Sequence, residues 1–426
     1  EMGLRYVSAP HATAVEFEAR VRPVDERGAF ACADERLSRV WAVAAATLHT
    51  SMQVLTVDGI KRDRLPWQGD QALAATANAY AFGDAAIARD GVIALGRPRH
   101  GFVNGIADYS LWWLVNNATL LTHFGVDPLV GEGAAIDGFA SALWQQRDEA
   151  GLLRPAPGEH FRGADAEAVF IDWGAPVRGS DATAFQLLWA WALAATADTL
   201  DALGHDTAGA WRQRADEVAA TVTRLAWDDD AGLWHDRVDR SGTGSAHPNV
   251  IAAVSGIGPS SPRMAATIRD GEVGTPFMRS YALTALHRLG DTAAALDELT
   301  DRWGRQLDRG ALTFSEDFDV EGESPFAMYG RPFGRSMSHA WSSAPASLLP
   351  QLLLGLRPLA PGWAAFTIRP QLGDLAWAGA TVPTPHGDVT VIADTRTVRA
   401  WLPAGTTLLD GDTRVTGPAV HERPAA

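Results

Sequence analysis

Carboxylates set among tryptophans and arginines are the residues of this chain best suited to chemistry. The stretch DGIKRDRLPWQGD (58–70) places Asp58, Asp63 and Asp70 beside Arg62, Arg64 and Trp67. A second stretch, GALTFSEDFDVEGE (310–323), sets Glu316 between Phe314 and Phe318, all three on one face if the run is extended. FIDWG (170–174) joins Asp172 to Trp173, and RSMSHAWSSAP (335–345) puts His339 beside Trp341 at an expected helix start. An acid near Trp67 and another at Glu316, on different loops, suit glycoside hydrolysis. That reaction needs a protonated acid at the leaving oxygen and a second carboxylate acting as base or nucleophile. Neighbouring arginines favour the charged form of an acid, and an apolar indole favours its neutral form, so the two can be tuned apart.

Each stretch also has a plainer reading. Residues 58–70 could be a salt-bridged loop between two helices, Asp319 to Glu323 a solvated acidic loop, Trp173 a core ring and His339 a structural histidine. Neither a phosphate-binding glycine loop, nor a nucleophile elbow, nor a histidine pair spaced for a helical metal site is present. No cofactor and no metal are implied.

Composition narrows the class. A chain of 426 residues exceeds what one core normally organises, and 46% hydrophobic residues supply a large interior. A net charge of −15 argues against nucleic acid, whose phosphates call for clustered cations. No apolar run has transmembrane length. EMGLRYVSAP has no apolar signal core, and the single Cys32 favours a cytoplasmic location. Sixteen tryptophans are unusual. Most must be packing, but indole faces also stack on the C–H faces of sugars, which leans the chain towards carbohydrate.

The elements that must position these residues follow from periodicity. Residues 1–30 alternate as extended chain, then helical spacing begins behind a cap at Asp34. Helices are expected near 70–82, 84–95, 108–125, 131–147, 181–203, 206–226, 261–271, 274–290, 291–304 and 334–354, separated by Gly, Pro and Asp clusters. Some, such as FQLLWAWALAATADTL, are apolar nearly all round and others are amphipathic. Buried helices alternating with half-exposed ones make a two-layer helical toroid, an (α/α)6 barrel, over residues 31–356. Residues 1–30 read as remnant strands of an N-terminal β-domain, and 357–426 as a small C-terminal antiparallel β-sandwich.

These same stretches resemble the bacterial α-L-rhamnosidases of glycoside hydrolase family 78. The family signature runs approximately Asp-Cys-Pro-x-Arg-(Asp)-Glu-Arg-x-Gly-Trp-x-Gly-Asp, matched here at Asp58, Arg62, Arg64, Trp67, Gly69 and Asp70. The likeness continues through DYSLWW, FIDWG, GTPFMRSYALTAL, GALTFSEDF and SMSHAWSSAPASLLPQLLLGLRP into PGWAAFTIRPQLGDLAWAGATVPTPHGDV. It implies a six-hairpin barrel and release of terminal L-rhamnose with inversion, by an exo-acting enzyme on a rhamnose-containing glycoside or oligosaccharide. The family's general acid falls on Asp63 and its general base on Glu316. Sugar contacts fall on Asp58, Arg62, Trp67, Asp70, Trp173 and His339, and on Trp112 or Trp113, with Trp112 preferred. The signature departs in two ways: it is one residue shorter, and Asp stands where the acid is usually Glu. The family's large N-terminal β-domains are represented only by the end of one, so no carbohydrate-binding module and no calcium site is implied. No nucleic-acid or membrane partner is expected, and a homodimer is left open. The alternatives are another toroid glycosidase, a polysaccharide lyase, or a catalytically inactive sugar-binding homologue.

Overall fold

The computed structural model describes residues 7–61, 63–96, 101–156, 168–175, 177–242, 244–318, 327 and 334–425. Among these, twelve α-helices run from α1 to α12 in chain order. They are α1 (Glu35–Ser51), α2 (Gln68–Ala81), α3 (Ala85–Leu95), α4 (Ala107–Phe124), α5 (Gly133–Trp144) and α6 (Thr183–Ala202), then α7 (Ala208–Ala226), α8 (Ala246–Ser255), α9 (Pro262–Asp270), α10 (Pro276–Arg288), α11 (Thr292–Asp308) and α12 (Pro345–Leu354). Start signals explain several boundaries: Asp34 accepts from the amides of Arg36 and Leu37, Ser261 and Asp291 cap α9 and α11, and a proline opens α9, α10 and α12.

The even-numbered helices pack side by side in sequence, α2 on α4, α4 on α6, α6 on α8, α8 on α10, α10 on α12, and α12 back on α2. That closes a ring of six, with the odd-numbered helices outside it. Burial follows the arrangement. Thirteen residues of α2 are buried, whereas α7 buries only one stripe, Ala208, Trp211, Ala215, Val218, Val222 and Ala226. The expected toroid is therefore present. Helix α8 (AHPNVIAAVS) was not among the expected helices, and residues 334–339 form no helix, with α12 starting only at Pro345.

Strands make up the rest. β1 (Ala29–Cys32) precedes α1, and β2 (Trp227–Asp228) and β3 (Leu233–Trp234) form a small hairpin after α7. After α12 come β4 (Arg357–Pro358), β5 (Ala365–Thr367), β6 (Trp377–Thr384), β7 (Gly387–Asp394), β8 (Thr397–Leu402), β9 (Thr407–Asp410), β10 (Thr413–Thr416) and β11 (Ala419–Pro424). They form one sheet ordered β1-β6-β7-β8-β11 and another ordered β10-β9-β5-β4, antiparallel except for the parallel pair β5–β9. The inner face of β6 packs on α2 and α12, so this unit braces the ring beneath. The expected N-terminal strands are corrected: residues 7–28 form no strand, and β1 belongs to the C-terminal sheet through β6. Alternation through Val15, Phe17 and Val21 shows a segment able to bury one face; without a partner strand those side chains stay exposed.

Candidate active site

Each inner helix is entered from an outer one, so the connections before α2, α4, α6, α8, α10 and α12 gather at one end of the ring. They touch there. Gly59 bridges His339, the amide of Ala107 donates to the Ala168 carbonyl, Ala182 bridges Arg237, and Gly174 meets Gly274 backbone to backbone. Inner-helix N-termini also point at this rim, favouring negative charge.

The loop before α2 is closed on itself. Asp58 donates its amide to the Leu65 carbonyl (3.0 Å) and accepts the Leu65 amide on Oδ1 (3.1 Å). Its carbonyl accepts from Ala340 N at 2.7 Å. Asp58 is buried, and that burial pushes its carboxyl up to about 7, with Asp70 adding to the rise and His339 opposing it. Asp63, by contrast, is exposed, and both Asp63 and Arg64 adopt left-handed backbone (φ 56° and 50°). Asp is among the few non-glycine residues that tolerate this region. Arg62 lies outside the described residues.

Asp70 sits in the first turn of α2, 2% exposed, and its Oδ1 is 3.0 Å from His339 Nε2. Burial raises the Asp70 carboxyl and nearby Glu316 raises it further, against the His339 hydrogen bond. Burial alone would disfavour a charged imidazole at His339. The Asp70 bond and the carboxylates of Asp70, Glu316 and Asp58 outweigh it and hold the ring's pKa above the ordinary value. Trp341 packs on that ring at 4.3 Å between centroids, and its indole N–H donates to the Glu316 carbonyl at 3.0 Å.

Glu316, 2% exposed, is gripped by the segment at Ser336. Its amide donates to the Ser336 carbonyl (2.9 Å), and the Ser336 amide donates to its Oε2 (2.8 Å). Phe314 and Phe318 beside it are buried, as their spacing predicts. Asp319 and the acids after it lie outside the described residues.

An aromatic wall completes the rim. Half-buried Trp67 meets Tyr109 edge-on at 6.1 Å, and the Tyr109 hydroxyl accepts from the Trp173 indole at 2.9 Å. Trp173, also half-buried, lies flat on Phe170 at 4.2 Å. Gly69 is required here, since a Cβ would stand 2.6 Å from the Tyr109 ring. Trp112 has a different setting from the expected sugar contact. It is wholly buried, stacked on Tyr281 and edged by Trp191 and Phe277, so its faces are occupied by packing. Trp113 is buried too, its indole N–H bound to the Val92 carbonyl.

Sequence reading passed over two groups. Tyr109 links both indoles of the wall. Asp108 accepts the amides of Phe170 and Ile171, steadying a turn in which Ala168 and Ile171 have φ of 53° and 58°. Asp172 was noted only as part of FIDWG. It accepts from the Gly274 amide and the Thr275 hydroxyl and pairs with His247 at 3.0 Å, joining three inner-helix entries. An open groove of about 740 Å³ lies beside His247, lined also by Val177, Thr267, Asp270 and Glu272, but none of the expected site residues lines it. Among the described residues no group of three or more His, Cys, Asp or Glu is placed to hold a metal ion.

Comparison with known proteins agrees with this architecture. The six-hairpin glycosidase domain of bacterial α-L-rhamnosidases matches residues 25–100, and their C-terminal domain matches residues 355–408. The chain resembles the bacterial α-L-rhamnosidases. A family 78 rhamnosidase of Bacillus sp. GL1 superposes with a TM-score of 0.74 at 24% identity over 92% of this chain. An α-L-rhamnosidase of Streptomyces avermitilis, solved with L-rhamnose, gives 0.75 at 20% over 91%. A rhamnose-bound rhamnosidase of Klebsiella oxytoca gives 0.64 at 24% over 77% of this chain and 66% of its own. The chain spans only 43% and 39% of the first two rhamnosidases. No curated protein matches by sequence. No helix among the described residues is long and apolar enough to cross a membrane.

Proposed function

We propose that this chain is an exo-acting, inverting α-L-rhamnosidase. The observation that carries the reading is the meeting of Asp58, Asp70, His339 and Glu316, all buried, at one end of a six-hairpin ring beside the Trp67–Tyr109–Trp173 wall. Buried carboxylates beside half-buried indoles suit a sugar, which presents hydroxyls at its edge and C–H groups on its faces.

In this mechanism Asp63 gives its proton to the glycosidic oxygen as the bond to C1 breaks. Glu316 takes a proton from the water that attacks C1 from the opposite face, releasing rhamnose of inverted configuration and the free alcohol. Asp58, Asp70 and His339 grip hydroxyls, with Arg62 at the same loop, and Trp67 and Trp173 pack on the ring and its C6 methyl. A methyl pocket discriminates by about 1–3 kcal/mol. The substrate is the terminal α-L-rhamnoside of a glycoside or oligosaccharide. The exposed setting of Asp63 favours one second reading, a sugar-binding homologue that does not turn over.

The test is hydrolysis of nitrophenyl α-L-rhamnoside against a panel of nitrophenyl glycosides, with NMR of the first-formed anomer. Selective cleavage with β-rhamnose appearing first is expected. First-formed α-rhamnose would exclude inversion, and rhamnose binding without cleavage would establish the second reading. Glu316→Gln should abolish turnover whatever the leaving group, whereas Asp63→Asn should slow poor leaving groups far more than nitrophenol.

A further inference from the structure

One peptide unit lies between the two loops of the proposed mechanism. The Arg335–Ser336 peptide donates its N–H to Glu316 Oε2 at 2.8 Å and accepts the Lys61 ammonium on its carbonyl at 2.7 Å. Lys61 belongs to the loop that carries Asp63, and Glu316 is the base, so both halves of the proposed machinery bind opposite edges of one rigid amide plane. The surrounding backbone reinforces the join. Gly59 bridges His339, and the Asp58 carbonyl accepts the Ala340 amide. A Cβ on Gly59 would stand 2.4 Å from Ser336 Oγ, so glycine is needed for this closeness. A cation on a peptide carbonyl polarises the amide and strengthens the hydrogen bond its N–H donates.

We infer that Lys61 is a positioning residue for the base: through the 335–336 peptide it fixes the Glu316 carboxylate and ties its place to that of the acid's loop. This rests on the proposed role of Glu316. Lys61 does not touch the sugar in this account; it sets where the base stands relative to the water. Among the described residues, the charged groups around Glu316 include Asp70 and His339, with Asp58 beyond them, and the Arg335–Asp317 pair at 3.6 Å on its own segment. Lys61 adds a contact from the opposite loop.

The experiment compares Lys61→Met, which keeps the aliphatic stem, with Lys61→Arg, which keeps the charge and a donor, on rhamnosides of good and poor leaving groups. Loosening the base should lower kcat by about ten- to a hundredfold with KM nearly unchanged, as misplacement by about 1 Å does. The loss should be equal for both leaving groups, because the water needs its base whichever alcohol departs. Lys61→Arg should recover most of the loss, and Gly59→Ala, which levers the loop from Ser336, should reproduce the Lys61→Met pattern with rhamnose binding retained. A fully active Lys61→Met would overturn the inference. So would a loss that grows with leaving-group basicity, which would place Lys61 with the acid instead, or a failure of Lys61→Arg to improve on Lys61→Met. Failure of the underlying reading looks different, because Glu316→Gln would then keep its turnover.

Discussion

Asp70 Oδ1 and His339 Nε2 stand 3.0 Å apart although 269 positions separate them, and both side chains are 3% exposed. The pair joins the first inner helix to the entry of the last. A buried carboxylate stripped of its partner is costly, since it regains neither water nor an opposite charge. His339→Ala should therefore lose about 3–5 kcal/mol in urea unfolding near neutral pH. A loss below about 1 kcal/mol would mean that the pair is not closed in solution.

Stability should carry the mark of Asp58. Its carboxyl is raised from 3.8 to about 7, so over that interval the folded chain holds a proton that the unfolded chain has released. The folded state is then penalised progressively as pH rises from about 4 to about 7. Asp58→Asn removes the titration. Relative to the parent, its stability should improve across the window by up to roughly 4 kcal/mol, taking about 1.36 kcal/mol per unit. Parallel urea titrations at pH 4 and pH 8 check the sign, and a difference that does not change with pH would contradict it.

Asp63 has a backbone reason to be aspartate rather than glutamate. At φ 56° a short polar side chain is tolerated better than a long one, and if Asp63 is the acid, as proposed, the longer arm would carry the carboxyl past the glycosidic oxygen. Asp63→Glu should lower kcat on the order of a hundredfold with little change in melting temperature. Full activity would show that the loop is slack or that the proton comes from another group.

Tyr109 should show itself in binding. Tyr109→Phe keeps the ring against Trp67 and Gly69 but removes the acceptor of the Trp173 indole N–H. At about 1 kcal/mol for one hydrogen bond, KM for a rhamnoside should rise about fivefold while kcat changes little. An unchanged KM would detach Trp173 from sugar recognition.

Much of this arrangement was legible in the chain, and what escaped did so for physical reasons. Toroid and sheet were written in periodicity, Glu316 stood out by its flanking phenylalanines, and Asp70 by its place in the charged stretch 58–70. Helix α8 was missed because its His247–Pro248 opening and short apolar run resemble a loop, and packing against α6, α9 and α10 secures it. The segment 334–339 carries a helix-like sequence yet is drawn out of helix by Glu316 and Gly59, partners far away in the chain. Trp112 and Trp173 look equally suitable as sugar platforms on paper. One is enclosed by three other rings and the other lies half-open at the rim, a difference set by tertiary packing. Tyr109 gave no sign, because its importance lies in joining two indoles that the sequence keeps apart.

The ring of inner helices has a seam. It closes where α12 returns to α2, with no covalent link at that joint, and it is at this joint that Asp58 and Asp70 meet Glu316 and His339. Outside, β1 clips onto β6 across the same junction. On the proposed mechanism, competence would belong to a finished circle: a chain lacking its last hairpin would hold Asp58, Asp63 and Asp70 without Glu316 and His339. If Asp63 is the acid and Glu316 the base, as proposed, opening this joint would part them while leaving the other five helix contacts in place. On the proposed mechanism, turnover would therefore double as a gauge of closure at the joint of α2 and α12.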